Sequence, residues 1–140
     1  MQAGREIKFR GKRIDNGEWV YGNLVLTAYG CYIIPQNIYA DRMPQFSVDP
    51  KTVGQFIGFR GKNEREIFEG DILQYPDAYQ CGEDWEETLS VGEIEWDENQ
   101  AQFTVSNRQS IDLESLFDDI DEAEVIGNIY ENPELLEVVK

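Results

Sequence analysis

Short β-rich runs separated by turn residues are the feature that most constrains the fold of this chain. Asn16-Gly17 lies between β-rich flanks, the second of which contains Trp19-Val20-Tyr21. Asn-Gly accommodates the positive φ angles of a two-residue type I′ turn, so this segment predicts a β-hairpin. A second hairpin is expected from Gly22 to Pro35, where two apolar runs flank Tyr29-Gly30.

Further strands and loops are expected from the same patterns. Residues 36–52 contain Pro44 and Pro50 and predict a loop. Residues 76–87 are polar, acidic and without periodicity, and they predict a mobile loop that Trp85 anchors. Runs rich in β-branched and aromatic residues predict the remaining strands, at 53–59, 67–75, 90–96, 101–105 and 124–130.

Helical signals are confined to the C-terminal part of the chain. Apolar residues at the i, i+3, i+4, i+7 spacing from Leu113 to Ile120 predict one helix. Asn132-Pro133 resembles an N-cap followed by a proline at the first helical position, and predicts a short helix through Val139. The expected fold is therefore mainly β, with antiparallel hairpins in a barrel-like or coiled-sheet arrangement and one or two short helices near the C-terminus.

The length fits a single domain. The chain has 140 residues, 41% of them hydrophobic, which is enough to bury a core without disulfides or metals. We expect one domain over residues 1–140, with two β sub-lobes at about 1–50 and 51–140 as the alternative. The sequence Phe-Arg-Gly-Lys occurs at 9–12 and again at 59–62. Two similar hairpins or an ancestral duplication would both explain this repeat.

Charge is distributed unevenly. The net charge is −16. Residues 1–62 hold nine Lys/Arg against five acids, whereas residues 63–140 hold three against twenty-three, so the halves carry +4 and −20. An overall negative charge opposes binding to phosphate backbones, and nucleic acid is therefore not an expected partner.

The N-terminal residues and the cysteines indicate the compartment. The start lacks the apolar stretch of a secretory signal, and no run of about 18 apolar residues predicts a membrane span. We expect a cytoplasmic protein without membrane contact. Cys31 and Cys81 are then expected to be reduced residues with a packing role.

The residue types exclude several chemistries. The chain has no histidine, which removes histidine triads, HExxH zinc sites and histidine general-base catalysis. Two cysteines without histidine cannot complete a Cys/His zinc site within one chain. Neither a Walker A sequence nor GxGxxG is present. We therefore assign no catalytic, cofactor-binding or metal-binding residue and expect no cofactor.

Carboxylates are the remaining candidates for chemistry. A dense cluster could bind Mg²⁺ or Ca²⁺, but it lacks the EF-hand spacing, and a solvated acidic surface is the favoured interpretation. Asp71 follows a glycine within a strand-like run, where its side chain is expected to accept hydrogen bonds from nearby amides. The cluster consists of Asp118, Asp119, Asp121, Glu122 and Glu124.

Aromatic residues near the N-terminal basic residues have two interpretations. They could form an exposed stacking platform suited to single-stranded nucleic acid. Aromatic residues in strands more commonly pack in cores or in cross-strand pairs, which is the favoured interpretation. The residues concerned are Trp19, Tyr21, Tyr29, Tyr32 and Tyr39.

Five segments of the chain are rich in glycines, turn residues and strand apolars. They are Ile7-Lys8-Phe9-Arg10-Gly11-Lys12, Gly17 to Leu24, Val48 to Gly58, Ile67 to Ile72 and Val125 to Leu136. In this order the segments resemble the YopX family of small bacteriophage and prophage proteins. The resemblance implies a mainly β fold and a phage or prophage origin, and it brings no established activity and no catalytic residues.

Three hypotheses for function remain open. The leading one is a non-enzymatic phage accessory protein that contacts a host or phage protein, and that forms a homo-oligomer through exposed strand edges. The second is an acidic nucleic-acid mimic, which requires carboxylates in regular rows on one face. The third is a carboxylate-based, metal-dependent enzyme, which requires acids that converge in a cleft.

Overall fold

The protein is mainly β and forms two antiparallel sheets. A computed structural model describes residues 6–36, 44–107 and 120–137. The larger sheet has the order β4-β3-β2-β1-β5-β6, and the smaller has the order β10-β7-β8-β9. The chain divides into two compact units, residues 1–58 and 59–140. The strands are β1 Phe9–Lys12, β2 Trp19–Thr27, β3 Gly30–Pro35, β4 Phe46–Val48, β5 Gly54–Arg60, β6 Glu66–Phe68, β7 Asp71–Cys81, β8 Asp84–Asp97, β9 Gln102–Val105 and β10 Glu124–Asn128.

The first unit contains both predicted hairpins. β1 pairs with β2 from Phe9↔Gly22 to Lys12↔Trp19, which confirms the first hairpin. The predicted two-residue turn was wrong, because the loop between Arg13 and Glu18 contains four residues. The N–H of Arg13 donates to the carbonyl of Glu18 at 2.9 Å. Within that loop only Gly17, at φ +74°, is left-handed, whereas a type I′ turn requires two such residues.

β2 and β3 form the second hairpin, and β4 extends it. The ladder runs to Thr27↔Gly30, so the predicted turn at Tyr29 is confirmed. The prediction of a loop over residues 36–52 was wrong at β4, whose three strand residues fit between Pro44 and Pro50. Ile33 and Val48 are buried and provide the apolar core of this part of the sheet.

The second unit is built around β7, which lies between β10 and β8. Ile72 and Leu73 of β7 are fully buried. Two successive buried residues show that both faces of β7 are covered at this end, as in a central strand. Other buried apolar side chains of this unit are Ile67, Phe68, Tyr75, Ile94, Val105, Ile120, Ala123 and Val125.

A tight turn joins β6 to β7 and explains Asp71. Gly70 has φ +92°, a conformation that favours glycine. The buried carboxylate of Asp71 accepts a hydrogen bond from the N–H of Phe68 at 2.8 Å. The expectation that this aspartate binds a nearby amide is therefore confirmed, and the strand predicted at 67–75 is divided into β6 and β7.

Two expectations about the architecture were wrong. In the described ranges the two sheets are open and form no closed barrel. The edge strands of the larger sheet are β4 and β6, each three residues long. Within residues 120–137, the described part of the C-terminal region, the helical elements are only 3-10 turns, at Ile120–Glu122 and Pro133–Leu136. Most of the helix predicted from Leu113 lies outside the described residues.

The repeated Phe-Arg-Gly-Lys sequence does not repeat its local structure. The first copy forms β1. The second begins at the end of β5 and enters a 3-10 turn at Lys62–Glu64. The same four residues are therefore compatible with two backbone conformations, and the neighbouring segments of the chain decide which one forms.

Candidate functional site

The most distinctive feature of the second unit is a two-stranded ribbon. β7 and β8 pair without a register shift from Ile72↔Glu93 to Cys81↔Asp84. β10 pairs with β7 only as far as Gln74, and β9 pairs with β8 only from Ile94 onward. We call the part of the hairpin beyond these neighbours, residues 76–89, the distal ribbon.

Residues 76–87 were predicted to be a mobile loop, and this was wrong. The segment has no apolar alternation because both of its faces are exposed, so the usual strand signal is absent. The sequence feature that indicates a hairpin here is the glycine in Cys81-Gly82-Glu83-Asp84. Gly82 has φ +66° at the first turn position, whereas Glu83 is not left-handed, which fits a type II′ hairpin turn.

Hydrogen bonds fix the base of the distal ribbon. The hydroxyl of Ser90 donates to Oδ2 of Asp77 at 2.7 Å, which joins the two strands. The hydroxyl of Tyr75 donates to the carbonyl of Ser106 at 3.1 Å. Tyr75 and Ser90 are buried, so the distal ribbon starts from a packed part of the unit.

One face of the distal ribbon carries exposed apolar side chains. Trp85 is 57% exposed and Leu89 is 60% exposed. Because alternate residues of a strand share a face, these two side chains and that of Glu87 lie on the same side of β8. Their cross-strand neighbours on that side are Gln80, Ala78 and Pro76.

The distal ribbon is also strongly acidic. Glu83, Asp84, Glu86 and Glu87 are all exposed. Asp84 and Glu86 lie on the opposite face of β8 from Trp85, whereas Glu87 lies on the same face. The sequence between Arg65 and Arg108 contains no Lys or Arg, so the surrounding strands supply no cation in this stretch.

Glu93, at the base of the ribbon, has a perturbed ionisation. Partial burial raises its pKa, and the charges of Glu95 and Glu69 raise it further. A carboxyl whose pKa is raised on folding favours the folded state when protonated, and it loses that contribution as pH rises through the raised pKa. Ionised Glu93 therefore destabilises the protein at neutral pH.

Replacing Glu93 by glutamine should therefore raise the melting temperature at pH 7. The gain should shrink as pH falls toward and below about 4.5, because protonated glutamate and glutamine are both neutral. Thermal unfolding at several pH values measures this, with Glu98→Gln as a variant of equal charge in an exposed turn. An increase that persists unchanged at pH 3 would contradict the stated cause.

A second candidate surface lies in the first unit, where basic side chains contact aromatic rings. Arg10 and Lys12 share a face of the sheet with Trp19. The guanidinium of Arg10 lies 4.6 Å from the ring centre of Trp19, and Nζ of Lys12 lies 5.7 Å from it. Arg13 lies 4.3 Å from the ring centre of Phe46. These cations therefore already make cation–π contacts within the unit.

The aromatic residues considered for a stacking platform, the disfavoured alternative, are only partly brought together. The strand register places Trp19, Tyr21 and Tyr32 on one face of the sheet. Tyr29 is 94% exposed at the β2–β3 turn, and Tyr39 lies outside the described residues. The cations engage Trp19, which is half-buried, so these contacts support the interpretation as cross-strand packing.

The C-terminal acidic cluster is partly described. Asp121, Glu122 and Glu124 are exposed, and Nζ of Lys62 lies 3.8 Å from a carboxylate oxygen of Glu124. Asp118 and Asp119 lie outside the described residues. In the described parts of the chain, no three acidic or cysteine side chains are grouped so that they could bind a metal ion.

The cysteines differ in exposure. Cys31 is half-buried in β3, and Cys81 is exposed at the end of β7. A packing role is therefore wrong for Cys81. Among the helices described, none is long and apolar enough to cross a membrane.

Comparisons with known proteins identify the family. The model of the YopX protein family matches residues 8–137. A search among curated proteins gives no match. The crystal structure of protein EF1440 from Enterococcus faecalis is similar to this chain, with a TM-score of 0.56 and 26% sequence identity over 94% of this chain and 98% of that chain. The chain belongs to the YopX family, as its sequence motifs suggested.

Proposed function

We propose that the protein is a non-enzymatic accessory protein of a bacteriophage or prophage, and that it acts in the host cytoplasm through protein–protein contacts. The observation that carries this proposal is the exposure of Trp85 and Leu89 on one face of the distal ribbon. Tryptophan is enriched among the residues that dominate binding energy at protein interfaces. An exposed pair of large apolar side chains on a hairpin with a hydrogen-bonded base offers such an anchor.

The ribbon's charge indicates the chemistry of the partner. Four exposed acids surround the apolar pair, and the local sequence supplies no cation. Complementary charge steers association and excludes partners of like charge. A partner with a basic surface and an apolar recess is therefore favoured over a second ribbon of the same chain, and self-association would have to use another surface.

The arrangement of the acids does not favour nucleic-acid mimicry by the ribbon. A mimic requires carboxylates in regular rows on one face. Asp84 and Glu86 lie on one face of β8, and Glu87 lies on the other, beside Trp85. The acids thus frame an apolar contact on two sides, which suits recognition of a protein.

A pull-down of the tagged protein from a lysate of the bacterial host tests this proposal. The wild type should retain a partner, and the double variant Trp85→Ser/Leu89→Ser should retain at least about tenfold less, since truncated interface anchors typically cost about 2 kcal/mol or more. Leu26→Ser is the matched control, because Leu26 is 69% exposed in the first unit. It should retain the partner as the wild type does.

Washing at low and then high salt separates the contribution of the acids from that of Trp85 and Leu89. Salt screens exposed charges, so a partner released only by salt is bound through the acids. A partner that resists salt is bound through the apolar pair. Equal recovery by the wild type and the double variant would contradict the proposal. Recovery of the protein alone, with a mass above that of the monomer by light scattering, would instead indicate a self-assembling role.

A further inference from the structure

The side of β8 that faces away from β7 makes backbone hydrogen bonds next to the distal ribbon. The carbonyl of Val91 accepts from Nδ2 of Asn107 at 3.1 Å, and the carbonyl of Glu93 accepts from the N–H of Ser106 at 2.9 Å. The N–H of Glu93 donates to Oγ of Ser106 at 2.9 Å. The backbone groups of these two β8 residues therefore point away from β7.

The same side of the distal ribbon presents further backbone groups. N–H and C=O groups alternate sides along an antiparallel strand, and the pairing of β7 with β8 has no register shift. The backbone groups of Trp85, Glu87 and Leu89 must therefore also point away from β7. Among the described residues, no strand pairs with β8 on this side before Ile94. This row is the β8 edge.

The opposite edge is less suited to pairing. The residues of β7 that face Trp85, Glu87 and Leu89 point their backbone groups to the other side of the ribbon. One of them, Pro76, has no N–H, and proline on an edge strand discourages further pairing. The β8 edge carries no proline, so the ribbon is asymmetric.

The side chains specify which strand would fit. A strand added to the β8 edge would place one set of its side chains beside Trp85 and Leu89, and the alternate set beside Asp84 and Glu86. The first set meets exposed apolar surface, and the second meets carboxylates. A strand with alternating apolar and basic residues matches both faces.

We propose that the β8 edge, at residues 85–89, binds an extended segment of a partner protein in which apolar and basic residues alternate. The segment adds a strand to the ribbon, and main-chain hydrogen bonds supply part of the affinity. This inference rests on the proposed function, because the same ribbon provides the contact surface there. A second β8 edge would bring like charges together and is disfavoured.

A short synthetic peptide of alternating lysine and valine is the probe. Calorimetry of the full chain should detect binding, and amide exchange followed by NMR should slow at Trp85, Glu87 and Leu89 when the peptide is added. A peptide of alternating glutamate and valine should not bind. Amides at these positions that are already protected in the free protein would show an occupied edge and overturn the proposal.

Two proline variants, at residues that face each other across the ribbon, test which edge binds the peptide. Glu87 and Ala78 lie directly opposite each other, and their N–H groups point to opposite edges. Glu87→Pro should weaken peptide binding at least about tenfold, since it removes one donor and blocks the neighbouring pairs. Ala78→Pro should leave binding unchanged. Glu87→Gln shows how much of the loss comes from the charge.

Methylating the peptide tests the same bond without altering the protein. A lysine–valine peptide with N-methylvaline should bind at least about tenfold more weakly. Equal binding of the methylated peptide, together with loss of binding in Trp85→Ser, would overturn strand addition while leaving the ribbon as the contact surface. Retention of the lysate partner by the Trp85→Ser/Leu89→Ser variant would instead contradict the proposed function itself.

Discussion

Leu73→Ala should lower the free energy of unfolding of the second unit by about 2 to 5 kcal/mol, the range for leucine truncation in a packed core. Leu73 is fully buried in β7, next to the equally buried Ile72. Shortening its side chain removes apolar contacts and leaves a cavity that the paired strands on both sides prevent from collapsing. Urea denaturation followed by circular dichroism measures the change.

Leu89→Ala is the matched control for this result. It is the same substitution in the strand that pairs with β7, but Leu89 is 60% exposed. It should change the free energy of unfolding by no more than about 0.5 kcal/mol. Losses of similar size in the two variants would mean that Leu89 belongs to the core, and would leave the proposed contact surface without one of its two anchors.

Asp71→Ala should destabilise the second unit by about 1 to 3 kcal/mol, because it leaves a buried amide without its acceptor. The carboxylate accepts from the N–H of Phe68 across the turn at Gly70. Asp71→Asn keeps an acceptor oxygen at the same place and should cost less than the alanine variant. Urea denaturation of both variants measures the difference.

Asp97→Ala provides the comparison for an exposed turn. Oδ1 of Asp97 accepts from the N–H groups of Asn99 and Gln100 in the turn after β8. Water can replace this acceptor, since these two residues are exposed. The loss should stay below that of Asp71→Ala. An equal loss at both positions would contradict the importance of burial at Asp71.

Much of the fold could be predicted from the sequence where one face of a strand is buried. The two hairpins that share β2 and the strand predicted at 124–130 have apolar residues that a sheet must cover, so their patterns are visible. Turn type was less predictable. Asn16-Gly17 allows several turns, and the hydrogen bond between Arg13 and Glu18 determines the longer one.

The candidate site could not be predicted, for a physical reason. The distal ribbon exposes both faces, so it shows no apolar alternation, and its acids and Pro76 are typical of loops. Its order comes from the hydrogen-bonded ladder with β7, the turn at Gly82 and the bond between Ser90 and Asp77. Cross-strand partners that are distant in sequence leave no local signal.

The most direct test of the distal ribbon as contact surface compares the material that three proteins recover from host lysate. These are the wild type, Trp85→Ser/Leu89→Ser and Leu26→Ser, each shown by circular dichroism to be folded. If the distal ribbon is the contact surface, the wild type and Leu26→Ser will retain a partner that the double variant loses. A partner that all three retain, or that only Leu26→Ser loses, would contradict this role of the ribbon.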